Sequence, residues 1–117
     1  LNVISDRFTD ATYAYQSGGK YVEEKKITAL KNWVHQDLKP DLTLLFDLPI
    51  DVSLSRLKSD GKLDKFEKEA ADFHRRVRGS YLALAKKEPG RFKIINSNQN
   101  INIIEKEIYH VLDKLFL

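Results

Sequence analysis

Neither cysteine nor methionine occurs in the 117 residues of the chain. Without cysteine there is no disulfide, no zinc–thiolate site and no thiol nucleophile. That suits a reducing, cytoplasmic setting, which is the expected location. The missing methionine matters because the chain opens on Leu1, and Leu1-Asn2-Val3-Ile4 already reads as an apolar strand. A core strand at the first residue is what a cut through a domain produces, so part of a larger unit is expected. No apolar run approaches the roughly 20 residues that a membrane span needs. Charge of one sign is also scarce. The net charge is +3 with acids and bases interleaved, too mild to imply a nucleic-acid partner. Finally, no G-x-x-x-x-G-K-[ST] phosphate loop is present. Gly18-Gly19-Lys20 resembles its end but has no first glycine at the right spacing and follows no strand.

What remains is a soluble α/β pattern. Hydrophobic residues make up 42% of the chain, enough for a core, and charged residues 32%. The length suits one small domain. After Leu1–Ile4, a loop or short helix is expected through Tyr13 to Gly19. Ile27, Leu30, Trp33, Val34 and Leu38 recur at helical spacing and predict a helix over 22–38, stopped by Lys39-Pro40-Asp41. Leu42 to Phe46 is a continuous apolar run of strand length, the mark of a parallel strand covered on both faces. A helix over 50–58 follows Asp47-Leu48-Pro49. The longest helix, 64–87, carries Leu63, Phe66, Ala70, Phe73, Val77, Tyr81 and Leu84 along one face. Phe92 to Ile95 reads as a third strand, and Ile104, Ile108, Val111, Leu112 and Leu115 mark a last helix. Strand–helix alternation of this kind predicts a parallel sheet with right-handed crossovers. Three strands make a poor complete sheet of that type, because an edge lies open.

In parallel α/β sheets ligands gather beyond the carboxyl ends of the strands. Three polar clusters fall there: Asp6-Arg7, Asp47, and Asn96 to Gln99. Polar residues follow strands in almost any protein, so placement alone is a weak signal. Asp6-Arg7 is the most informative. An arginine fork matches a phosphate, and the neighbouring carboxylate can orient it or hold a water on a magnesium ion. The plain alternative is a structural ion pair. Arg56, Lys58, Lys62 and Lys65 surround a glycine-containing turn between two helices. They suit either closure over transferring phosphates, where charge stabilisation dominates, or a merely solvated lysine-rich loop. Arg75, Arg76 and Arg78 lie on the long helix. Phe8, Tyr13 and Tyr15 suit a base or sugar pocket, or simply core. His35, His74 and His110 show no metal-ligand spacing, and no serine–histidine–aspartate set is readable.

Taken in order, Asp6-Arg7-Phe8, Thr12, Ala14-Tyr15-Gln16 and Gly18-Gly19 resemble the thymidylate kinase signature. The resemblance continues through Lys39-Pro40-Asp41-Leu42-Thr43, Asp47-Leu48-Pro49, Gly61 to Glu67, Asp72-Phe73, Arg76-Val77-Arg78 and Tyr81-Leu82. It covers nearly the whole chain. It implies a P-loop nucleotide kinase three-layer fold, incomplete here. The chain 1–117 would then be the C-terminal part of one nucleoside-monophosphate-kinase domain, with a lid at about 57–66. The implied reaction is phosphoryl transfer from ATP to dTMP, giving dTDP and ADP, with Mg2+. By resemblance, Arg7 clamps acceptor and donor phosphates, and Asp6 assists at the magnesium, through water, or at the acceptor phosphate. Thr12 reaches the thymine edge. Tyr15 packs by the deoxyribose, supported by Gln16. Phe66 and Glu67 approach the nucleoside. Lys65 stands where many bacterial members carry a lid arginine. Arg56, Asn96, Ser97, Asn98 and Gln99 fall on the adenine side. A homodimer is also implied. The alternatives are a kinase for another nucleoside or nucleotide on the same fold, and a non-catalytic nucleotide-binding or interaction fragment.

Overall fold

A computed structural model describes residues 1–57 and 65–116. Helix α1 (Thr9–Thr12) runs directly into a π-helical segment (Tyr13–Gly19). Then come α2 (Glu24–Val34), β1 (Thr43–Asp47), α3 (Ile50–Leu57), α4 (Lys65–Lys87), β2 (Phe92–Asn96) and α5 (Ile101–Phe116). The strands pair in parallel, Thr43 beside Phe92 through Asp47 beside Asn96. The ladder is extended at both ends, by Thr43 N–H to the Arg91 carbonyl and by Ser97 N–H to the Asp47 carbonyl, each at 2.8 Å.

Local chemistry explains the boundaries. Helix α2 is shorter than the 22–38 that its spacing predicts, because Gln36 takes a left-handed φ of 52° just past its end. That conformation stops a helix at small energetic cost only when the next residues fold back, and here Leu38 N–H does so onto the His35 carbonyl at 3.2 Å. Pro49, which has no N–H to donate, precedes α3 and offers its carbonyl to Ser53 N–H at 3.0 Å. Pro89-Gly90 follows α4. Asn100 caps α5, its Oδ1 accepting from Asn102 N–H at 2.8 Å.

The expected first strand does not form. Leu1 to Ile4 takes no regular structure, and Val3 is 82% exposed. The described sheet therefore has two strands and not three. An apolar run becomes a strand only if a neighbour answers its N–H and C=O groups, and a run of side chains carries no information about that neighbour. The same applies to the expectation that the strands are covered on both sides: Phe46 and Ile94 stay 53% and 51% exposed. Among the described residues the buried hydrophobic side chains are Ala14, Ile27, Ala71, Val77, Ala85, Phe92 and Ile95. They join the π segment, α2, α4 and β2, so the core lies where α4 crosses between the π segment and the sheet.

Below the strands, Arg91 gathers three elements. It forks onto both carboxylate oxygens of Asp10 in α1 at 2.8 and 3.0 Å. It also donates to Glu88 at 2.6 Å and to Thr43 Oγ1 at 3.0 Å. Lys39 adds a 3.0 Å contact to Glu88. Bonds first from Arg91 and then from Lys39 hold the Glu88 carboxyl down to about 2, against an ordinary 4.5. A depressed carboxylate stabilises the fold fully above its unfolded value and loses that contribution as pH falls through the folded one. Stability should therefore decline between pH 4.5 and about 2, and Glu88→Gln should flatten that decline in melting temperature measured against pH.

Candidate functional site

The turn after the N-terminal run sets the site. Ser5 Oγ donates to the Arg7 carbonyl at 3.1 Å, and Arg7 sits at φ 63°. A side-chain-bearing residue in this left-handed region costs on the order of 1–3 kcal/mol, and such residues cluster at functional sites; Tyr21 and Gln36 share it at φ 61° and 52°. Here the guanidinium lies 5.2 Å from the centre of the Tyr15 ring. Phe8 stacks on His35 with ring centres 4.9 Å apart, and Thr9 Oγ1 and His35 Nε2 share a hydrogen bond of 2.9 Å.

From Tyr13 the helix widens to π pitch. Lys20 N–H reaches the Tyr15 carbonyl at 3.0 Å and Val22 N–H the Gln16 carbonyl at 2.8 Å. Such segments are frequent at functional sites. The widening brings the backbone of Gly18 and Gly19 against α4. A Cβ on Gly18 would stand 2.6 Å from Ser80 Cβ, and one on Gly19 2.5 Å from Phe73 Cε2. Neither position admits a side chain. Tyr15 is braced by Phe73 at 6.1 Å and edge-on by Tyr81 at 6.3 Å between ring centres. Burial raises the Tyr81 hydroxyl above its ordinary range, with the Tyr15 side chain adding to the effect.

These elements enclose an open cleft of about 650 Å³. Five residues singled out in the sequence line it: Arg7, Phe8, Thr12, Tyr15 and Gln16. A phosphate-matching fork, a hydroxyl, an aromatic ring and an amide thus share one space, the set of groups that an anionic, partly planar ligand requires. Five lining residues carry no site reading in the sequence: Thr9, Ala11, Lys20, His35 and Phe73. Lys20 follows the glycine pair, and that pair is the signal that brings it near the cleft. Phe73 is legible as part of an apolar helix stripe and of the Asp72-Phe73 motif, neither of which places it at the cleft. His35 comes in through a fold in the chain after α2, which no spacing announces.

The other singled-out residues lie elsewhere. Asp6 is exposed beside Arg7 and does not line the cleft. Arg56 is exposed in the last turn of α3. Asn96 ends β2, and its Oδ1 accepts from Asn98 N–H at 2.9 Å. Gln99 donates to Glu107 at 2.8 Å, and Ser97 Oγ is buried. The loop from Asn96 to Gln99 is thus shaped by local bonds at the carboxyl end of β2. Lys65, Phe66 and Glu67 open α4 in their main chain, but their side chains, and residues 58–64 of the expected lid, lie outside the described residues. Asp47, at the carboxyl end of β1, is fully engaged: Arg78 forks onto its two oxygens at 2.8 and 3.0 Å. Those bonds hold its carboxyl below the ordinary range. Among the described residues no three acidic or histidine side chains cluster as metal ligands, and no helix is long and apolar enough to cross a membrane.

Comparison with known proteins bears on this cleft. The family profile for thymidylate kinase matches residues 1–108. A thymidylate kinase of Methylobacillus flagellatus is 50% identical over 110 residues, 94% of this chain and 54% of that protein. One from Neisseria meningitidis serogroup B is 48% identical over 116 residues, 99% of this chain and 56% of that protein. The crystal structure of thymidylate kinase from Ehrlichia chaffeensis superposes with a TM-score of 0.65 at 31% identity, covering 92% of this chain and 48% of that one. The chain thus spans about half the length of the relatives it matches.

Because Asp47 ties α4 to the end of β1 and lies outside the cleft, Asp47→Asn should lower stability to denaturant by about 1 kcal/mol. It should leave the cleft unchanged, as hydrogen exchange of peptides covering residues 13–22 would read.

Proposed function

The chain belongs to the thymidylate kinase family, and on that premise we propose that it forms the acceptor side of an enzyme that phosphorylates dTMP with ATP. The observation that carries the reading is the convergence of Arg7, Thr12, Tyr15 and Gln16 on one cleft. A phosphate oxygen of dTMP attacks the γ-phosphorus of ATP. The bond from that phosphorus to the β–γ bridging oxygen breaks, its electron pair leaves with ADP, and dTDP is formed. Little covalent work falls to the protein, so catalysis consists of holding the two phosphates in line and stabilising their charge. Arg7 supplies the fork for that charge. The strained φ aims it before substrate arrives. Thr12 is exposed in the cleft, able to accept from or donate to a base edge. Tyr15, fixed between Phe73 and Tyr81, presents a rigid wall beside the sugar.

Magnesium suits this arrangement. It keeps several of its waters and commonly takes one or two carboxylates together with substrate phosphates, so an exposed Asp6 next to Arg7 fits a water-mediated contact without a carboxylate cluster. When bound, the ion neutralises charge on the phosphates. Arg56 and Asn96 to Gln99 lie at the carboxyl ends of α3 and β2 and suit the adenine side of ATP. Lys65, Phe66 and Glu67, at the start of α4, suit the lid and the nucleoside. The 117 residues contain no G-x-x-x-x-G-K-[ST] loop to cradle the donor phosphates. A cytoplasmic homodimer completes the proposal, on the family's pattern.

The test is phosphorylation by the whole protein of dTMP, dUMP, UMP and thymidine in parallel. Preference for dTMP is expected, and a clear preference for another acceptor contradicts the reading. Arg7→Ala should lower kcat/KM for dTMP by about a hundredfold or more. Arg7→Lys should recover little of it, since an ammonium restores charge without the fork.

A further inference from the structure

We infer that Arg76 is a positioning residue for the acceptor cleft, acting through Gly19. The inference rests on the reading of the cleft as the nucleotide-acceptor site. Arg76 does not line the cleft. From α4 its Nε and Nη2 donate to the Gly19 carbonyl at 3.3 and 3.0 Å, across 57 residues of sequence. Gly19 ends the π segment. Carbonyls at a helix end have no partner in the next turn and carry the negative pole of the helix, so a cationic fork answers both needs. The same guanidinium stands 4.8 Å from the centre of the Tyr21 ring, which pins the chain just past the segment as well.

The glycines complete the seat. Besides its 2.5 Å approach to Phe73, a Cβ on Gly19 would lie 3.0 Å from Val77 Cγ2, and one on Gly18 3.3 Å from the Arg76 carbonyl. Backbone resting directly on α4 fixes the height of the segment above that helix. Two bonds from one rigid group to one carbonyl fix its rotation. Tyr15 and Gln16 belong to the same segment, so their direction into the cleft follows from both constraints. Phe73 does two jobs: it is the floor under Gly19 and a wall of the cleft. Arg7 lies on the preceding turn, aimed by its own backbone at φ 63° and touching the segment only through the Tyr15 ring, 5.2 Å away. Loss of the seat therefore blurs the pocket that receives the nucleoside first and reaches the phosphate clamp only through that one contact.

The experiment uses the whole protein with Arg76→Ala, Arg76→Lys and Gly19→Ala. Steady-state kinetics are combined with hydrogen exchange of peptides covering residues 13–22. For Arg76→Ala the KM for dTMP should rise about tenfold, with kcat and the KM for ATP within about twofold of the parent. Arg76→Lys should fall between, because it keeps a charge but not the fork. Gly19→Ala should reproduce the KM effect. The amides of Lys20, Tyr21 and Val22, which close the segment, should exchange faster in each variant. A drop in melting temperature with both KM values and amide exchange unchanged overturns the inference, as does a fall in kcat alone. If the parent protein phosphorylates no nucleotide, the functional reading fails. The seat is then judged by exchange alone, where unchanged protection of residues 13–22 in Arg76→Ala and Arg76→Lys refutes it.

Discussion

The distance between the backbone at Gly18–Gly19 and the surface of α4 is the constraint on which the cleft depends. Any Cβ at either glycine would fall within 2.6 Å of an α4 side-chain atom, closer than two carbons pack. The contact is made where the backbone runs at π pitch, both glycines lying in the last turn of that segment. It places Ala14 in the core and leaves Tyr15 and Gln16 facing open space. It also makes α4 a shared wall. One stretch of that helix, Phe73 to Tyr81, meets the π segment, braces Tyr15 and, through Arg78, grips the end of β1. An error in the placement of α4 is therefore transmitted to the cleft and to the strand end together.

The charged residues divide along the same line. Those at the lower end of the sheet are committed to one another: Asp10, Glu88, Lys39 and Arg91 satisfy their charges internally. Asp47, which its position at a strand end makes a candidate for chemistry, is consumed as a strut by Arg78. A carboxylate whose two oxygens already accept charged donors has little left to offer a ligand. Arg7 differs from them. It is exposed, it lines the cleft, and its backbone sits at a left-handed φ of 63°.

Much of this architecture is legible in the sequence, and the failures share a cause. The apolar runs at Leu42–Phe46 and Phe92–Ile95 appear as strands within a residue of their expected ends, and the long amphipathic helix appears at Lys65–Lys87. These elements declare themselves through the periodicity of their own residues. Leu1–Ile4 does not pair, because pairing is a property of two segments and only one is written there. The early end of α2 turns on the φ of a single glutamine. The π segment is invisible to periodicity, which assumes 3.6 residues per turn. The cleft was half legible. Arg7, Thr12, Tyr15 and Gln16 stand out through the polar Asp-Arg pair and the family motif. Phe73, His35 and Lys20 join them only through tertiary packing. Arg76 was visible as a charge and gave no hint that its partner is a glycine carbonyl.

The role proposed for the cleft built on the π segment is to receive the acceptor nucleotide. A crystal structure of the whole protein soaked with dTMP tests it most directly. The phosphate is expected against the Arg7 guanidinium, the thymine edge at Thr12 and the sugar beside Tyr15. Nucleotide density elsewhere, with this cleft holding only solvent at saturating dTMP, would contradict it.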